Sequence, residues 1–234
     1  VEGHVLSVRI EGNGAVSPLT AIVPTGGTAT FAVADGARPF LGFTTNGVFA
    51  TGDATLVWPG VAADGLVTAA FSNFTFHVDA ATGNDAADGL SWETPKASIQ
   101  SAIDAARRGE TIRVKPGRYG PITTEDRATS LRIASVGGKS VTVIDGDGTN
   151  RCAALRSPAY SWAFDATLSG FTVTNGYAYS GGGGVWGGTV EDCDVVGNVA
   201  RGWGGGIEDS RAIRCRILGN AATQDGMKTK PISW

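Results

Sequence analysis

Gly182–Ala200 reads GGGVWGGTVEDCDVVGNVA, and Gly204–Ala222 reads GGGIEDSRAIRCRILGNAA. The two stretches superimpose at an offset of 22 residues without a gap. Gly182–Gly184 fall on Gly204–Gly206, Val185 on Ile207, Cys193 on Cys215, Val195 on Ile217, and Gly197-Asn198 on Gly219-Asn220. One further step back places Leu168, Phe171, Val173 and Ala178 under Val190, Cys193, Val195 and Ala200, which makes three consecutive copies. A repeat this short, poor in helix formers, is one coil of short strands separated by turns, so the fold class is all-β and the repeats stack as a parallel β-helix. Leucine-rich repeats have a similar length, but the Leu positions they need are missing. Stacking at the strand spacing of ~4.8 Å sets equivalent residues over one another as ladders. Phe171, Cys193 and Cys215 then form one inward column and Val173, Val195 and Ile217 another. Asn198 and Asn220 follow Gly at a turn, where Asn tolerates left-handed backbone and bonds its own main chain, so a structural role is expected for both.

The composition agrees with that pattern. Gly accounts for 35 of 234 residues, well above the usual share of ~7%, without a collagen period and beside abundant Val, Ile and Thr. Many short strands and tight turns follow. With 19 basic and 22 acidic residues the net charge is −3, so no field that draws polyanions is present and nucleic acid is not an expected partner. No apolar run reaches the ~18 residues of a spanning helix, so membrane insertion is not expected. Three cysteines with no CxxC pair give neither a disulfide framework nor a zinc site. Parallel in-register Cβ vectors keep the sulfurs of Cys193 and Cys215 side by side, and free buried thiols are predicted there and at Cys152.

Residues 1–72 read as a separate small β module. His4–Ile10, Thr28–Val33 and Leu66–Phe71 alternate and are bounded by turn residues such as Gly12-Asn13-Gly14 and Gly26-Gly27. Phe40, Phe43, Phe49 and Trp58 are expected to pack in its core. The run GNGAVSP at Gly12–Pro18, then GGT at Gly26, DGARPFLGFTTNG at Asp35–Gly47 and VTAAF at Val67 resembles the divergent internalin B-repeat family of bacterial surface proteins. Phe43 stands where that family usually carries Trp. The resemblance implies an extracellular spacer or adhesive module.

A second resemblance opens residues 73–223. Phe76–Ala106 (FHVDAATGNDAADGLSWETPKASIQSAIDAA), followed by Glu110–Tyr119 (ETIRVKPGRY), is similar to the N-terminal cap and first coil of pectate-lyase-like proteins. VTVIDGDG at Val141–Gly148 resembles another coil of that superfamily. The resemblance implies a right-handed single-stranded parallel β-helix with a cap over 74–109. Ile99, Ala102, Ile103 and Ala106 form the apolar stripe of a short helix over Ser98–Ala106 that plugs the end of the core. Gln224–Trp234 breaks the repeat, and a longer protein or end-to-end self-association is expected to cover the open C-terminal coil.

The same resemblance brings polysaccharide lyases and glycoside hydrolases into view, enzymes that need carboxylates beside a Lys or Arg. The offset of 22 sets Asp192 on Arg214 and Asp194 on Arg216, which reads first as ion pairs between coils and only second as an acid/base site. Asp145–Asn150 begins like a calcium loop, but Arg156 stands where the closing Glu belongs. Asn84, Asp85 and Asp88 offer an oxygen-rich loop for Ca²⁺, although turn formation accounts for the same residues and is preferred. Tyr160, Trp162, Tyr177, Tyr179, Trp186 and Trp203 crowd the turns beside the glycine runs. Packing against the coils and stacking on sugar rings weigh equally for them, and Tyr177, Tyr179, Trp186 and Trp203 are the candidate ligand residues. No catalytic residue is assigned. The expectation is an extracellular or cell-surface bacterial scaffold, adhesin-like or binding a polysaccharide or a host glycan, with a polysaccharide lyase or glycoside hydrolase as the alternative.

Overall fold

The computed structural model describes residues 3–34, 39–124, 130–156 and 166–223. Among these residues the fold is all-β with one short α-helix, and the chain divides into two compact units, Val1–Phe74 and Thr75–Trp234.

In the first unit a five-stranded sheet runs in the order Thr20–Pro24, Gly3–Glu11, Gly65–Phe71, Phe40–Thr45 and Val48–Thr51. A three-stranded sheet holds Val16–Ser17, Gly27–Val33 and Thr55–Val61. Gly3–Glu11 and Gly65–Phe71 pair in parallel, while the remaining pairs are antiparallel. Period-two alternation aims Leu6, Phe31, Phe43, Val67 and Ala69 into a fully buried core. Phe40 packs edge-on against Phe43 with ring centroids 4.8 Å apart, and Trp58 packs half-buried against the same cluster. Phe49 departs from the core role expected of it. On a four-residue edge strand opposite Thr44, it is 66% exposed.

The second unit is built from parallel ladders. The first ladder stacks Thr75–Val78, Thr111–Val114, Arg132–Ser135, Thr167–Ser169, Thr189–Glu191 and Arg211–Ile213. A second stacks Gly117–Tyr119, Thr142–Asp145, Thr172–Thr174, Asp194–Val196 and Arg216–Leu218. A third holds Ile122–Thr123, Ala153–Ala154, Val185–Trp186 and Ile207–Glu208, and a fourth Tyr177–Ala178, Val199–Ala200 and Ala221–Ala222. The chain visits these ladders in rotation and joins the fourth only from Tyr177 on, so the described ladders hold six, five, four and three strands. Where the sequence repeats, the register is the 22-residue offset: Leu168 pairs with Val190, Val173 with Val195 and then Ile217, and Val185 with Ile207. Earlier circuits keep the ladders but not the spacing, since Ile112 pairs with Ile133 and Ile133 with Leu168.

Inward columns close the core. Phe76, Ile112, Ile133, Leu168 and Val190 are buried on the first ladder, and Tyr119, Ile144, Val173 and Val195 on the second. The helix Ile99–Ala105 packs on Thr75–Val78, Thr111–Val114 and Ile122–Thr123, turning Ile99, Ala102 and Ile103 inward. Its start is set by Ser98, whose extended backbone and side-chain acceptor for the Ser101 N–H form an N-cap.

The corners of the circuits correct one expectation. Left-handed backbone sits at Asn175, Gly197 and Gly219, and not at Asn198 or Asn220. Those two asparagines point inward as a ladder. Asn198 is fully buried; its Oδ1 accepts the Gly176 N–H at 2.8 Å and its Nδ2 donates to the Val173 carbonyl at 3.0 Å. Asn220 repeats the arrangement one circuit on, accepting from the Asn198 N–H at 2.9 Å and donating to the Val195 carbonyl at 2.9 Å. Each amide thus satisfies main-chain groups of the preceding circuit, and Asn198 Nδ2 also donates to the Val196 carbonyl of its own circuit at 3.2 Å, so the expected structural role holds while the left-handed backbone does not.

Candidate functional site

The glycine-rich turns carry an exposed strip of aromatic and cationic side chains drawn from successive circuits. Tyr179 is 74% and Trp203 70% exposed, while Tyr177 and Trp186 are half-buried. Trp203 is held by a parallel bridge to Gly181, with its N–H donating to the Ser180 carbonyl at 2.9 Å. That approach explains Gly202, where any Cβ would run into the same Ser180 carbonyl. Tyr179 and Arg201 lie 22 residues apart, and the register of their strands puts the Arg201 guanidinium 4.9 Å from the Tyr179 ring centre.

Trp186 sits between arginines of a neighbouring circuit. Arg151 lies 5.2 Å and Arg156 5.9 Å from the Trp186 ring centre. Arg151 is fixed by donating to the Gly181 and Gly182 carbonyls at 2.8 and 3.0 Å, and Arg156 by Asp209 at 2.7 Å. Contacts of this kind contribute about 0.5–1 kcal/mol each at exposed sites and hold the rings and cations in a common surface. Sequence reasoning singled out the aromatics but missed Arg151, Arg156 and Arg201. The offset could have found Arg201, since it falls one repeat beyond Tyr179. Tyr160 and Trp162 lie outside the described residues.

The oxygen-rich loop is organised differently. Asp85 accepts from the Ala97 and Ser98 N–H groups at 2.9 Å and from the Ser98 hydroxyl at 2.9 Å. Burial raises its pKa, yet the Ser98 and Ala97 bonds prevail and hold the carboxyl below the usual range. Asp88 accepts from the Leu90 N–H at 3.0 Å and the Thr94 hydroxyl at 2.6 Å, which keep it low as well. Asn84 caps the Ala86 N–H at 2.9 Å. The cation within this loop is the chain's own: Lys96 Nζ donates to the Asp85 and Ala87 carbonyls at 3.0 and 2.7 Å. Among the described residues no group of three or more His, Cys, Asp or Glu side chains is placed to hold a metal ion.

A further cluster ties the cap to the first circuit. The Lys115 ammonium lies 2.9 Å from Asp79 and holds that carboxyl down to about 2, against burial. Lys115 also sits 4.9 Å from the Trp92 ring centre, and the His77 ring meets Trp92 edge-on at 4.5 Å. Burial, chiefly, pushes the His77 pKa down, so the ring is neutral at pH 7.

The carboxylates of the repeats form ion pairs across circuits. Arg214 grips Asp192 through Nε and NH2 at 2.7 and 2.8 Å, both residues standing on left-handed corners. Asp194 is shared by Arg216 at 2.6 Å and Lys139 at 2.7 Å, and Glu191 meets Arg132 at 3.2 Å. Asp145 pairs with Arg118. Hydrogen bonds from Arg216 and then Lys139 hold Asp194 below the normal carboxylate range, as Arg214 does for Asp192. A carboxylate kept ionised by its own cation is a weak proton acceptor, so these pairs act as clasps between circuits.

Among the described residues no helix is long and apolar enough to cross a membrane. Comparisons of the chain with protein-family models, with curated proteins and with solved structures found no match.

Proposed function

We propose that the second unit is a right-handed parallel β-helix of the pectate-lyase-like kind, and that the chain is an extracellular or cell-surface bacterial scaffold that binds polysaccharide along its aromatic strip. The rotation of the chain through the same parallel ladders supports the coil architecture, and parallel crossovers take the right-handed path almost without exception. The observation that carries the function is the pair of exposed rings, Tyr179 and Trp203, flanked by Arg201 on adjoining circuits. Flat apolar rings beside fixed donors suit a sugar, which offers C–H faces to stack and hydroxyl or carboxylate groups to hydrogen-bond. In this reading the first unit, with its B-repeat-like motifs, is a spacer.

The test is a binding screen of the intact chain on neutral and acidic polysaccharides, repeated with Tyr179→Ala and Trp203→Ala combined. Both rings are exposed, so the double variant keeps its far-ultraviolet spectrum while affinity falls about tenfold or more, from stacking contributions of about 0.5–1.5 kcal/mol per ring. Unchanged affinity overturns the strip as the binding surface. Release of unsaturated, ultraviolet-absorbing sugar ends replaces the scaffold reading with a lyase.

A further inference from the structure

Glu208 stands within the aromatic strip, half-buried, as the rung next to Trp186 on the third ladder. Its main chain is fixed, because the Glu208 carbonyl accepts from the Gly187 N–H and from the Ser210 hydroxyl, each at 2.9 Å. Its side chain reaches back one circuit over Gly181, where any Cβ would run into the carboxylate. Gly181 is itself bridged in parallel to Trp203. The carboxylate thus occupies space that a glycine leaves open, between the backbone positions of Trp203 and Trp186.

The cations around it are already engaged. Arg151 donates to the Gly181 and Gly182 carbonyls, Arg156 pairs with Asp209 at 2.7 Å, and the Arg201 guanidinium lies over the Tyr179 ring. Glu208 differs from them. Among the described residues no hydrogen bond or ion pair engages its carboxylate. An ionised carboxylate only accepts hydrogen bonds, so its lone pairs are left for an incoming donor.

Resting on the strip as a polysaccharide-binding surface, we propose that Glu208 sets its specificity: it accepts hydroxyl donors from a neutral sugar chain and rejects uronate and sulfated ones. A sugar that stacks its C–H face on an aromatic ring carries its hydroxyls around the ring edge, where they meet side chains beside the stack. Two neighbouring hydroxyls can donate to the two carboxylate oxygens, and hydrogen bonds to an ionised acceptor are about twice as strong as neutral ones. A uronate or sulfate group brings only acceptors and a like charge to the same place. Both anions then lose water without gaining a donor, which is a repulsive element against the acidic polymer.

The experiment measures binding of the intact chain to two pairs of polymers matched in backbone: hydroxyethylcellulose with carboxymethylcellulose, and methyl-esterified with free polygalacturonate. The neutral member of a bound pair is expected to bind at least about tenfold more tightly. Glu208→Gln keeps the shape and removes the charge. It is expected to narrow the gap to about threefold or less, weakening the neutral member and admitting the acidic one. An acidic member that binds as tightly as its neutral counterpart, or a gap that Glu208→Gln leaves unchanged, overturns the inference and leaves the strip in place. Binding to none of the four polymers, or binding that survives the combined Tyr179→Ala and Trp203→Ala change, removes the strip and this inference with it. The preference of the unsubstituted chain decides alone if Glu208→Gln does not fold.

Discussion

Two adjoining circuits of the second unit carry nearly the same sequence and have different fates. In the circuit Val190–Ala200, Val190, Cys193, Val195, Asn198 and Ala200 are all fully buried. Their equivalents 22 residues on are not: Ala212 and Ala222 are exposed, and Cys215, Ile217 and Asn220 only half-buried. Residue type, backbone register and inward direction are shared; what separates them is that described strands pair on both sides of the first circuit and on one side of the second. In a stacked fold the hydrophobic contribution of a side chain belongs as much to its neighbour 22 residues away as to itself. At the other end of the stack, the helix Ile99–Ala105 covers the first rungs and Ile112 is fully buried.

The largest expected effect compares one column at two heights. Phe171→Ala opens a cavity in the interior and costs about 3–5 kcal/mol, whereas Cys215→Ala, in the same column but half-buried, costs about 1 kcal/mol or less. Urea unfolding of both variants measures the difference, and equal losses would break the comparison. Next come the asparagines. Asn198→Ala strands the Gly176 N–H and the Val173 carbonyl inside the core and costs about 2–3 kcal/mol; Asn220→Ala costs about 1 kcal/mol, because Asn220 itself is only half-buried.

The smallest effect belongs to the capped end and depends on pH. The Asp79 pKa in the fold, about 2, lies below the ~3.9 of an unfolded chain. Its contribution is therefore complete above about pH 4 and drains away as pH falls toward 2. Thermal unfolding of Asp79→Asn is expected to show a lower midpoint than the parent at pH 6, with the gap closing as pH falls to 2. A gap that widens in acid would contradict the Lys115 pairing.

The comparison also shows what was legible beforehand. The offset of 22 was visible because inward slots admit few residue types: Leu168 over Val190, Val173 over Val195 over Ile217. It placed the ion pairs Asp192–Arg214 and Asp194–Arg216 as well, since equivalent positions must meet. Earlier circuits were invisible to the same reasoning, because insertions between ladders, as between Ile133 and Leu168, cost the fold only loop entropy while erasing the period. The asparagines were misread for a physical reason: Gly-Asn is a turn signal, and the sequence does not say which of the two takes the left-handed corner and which turns inward. In the strip, aromatics were conspicuous by rarity, but Arg151 and Arg156 reach Trp186 from a circuit whose spacing does not repeat. Lys96 was overlooked in the oxygen-rich loop because reading ligands by type ignores a cation the chain brings itself.

The most direct test of the stacking is a set of methyl and amide nuclear Overhauser contacts in solution among Val173, Val195 and Ile217. Cross-peaks are predicted between Val173 and Val195 and between Val195 and Ile217, one strand spacing of ~4.8 Å apart, with none between Val173 and Ile217 at twice that distance. Missing contacts between Val195 and Ile217, or contacts shifted to an offset of 21 or 23 residues, would contradict the account.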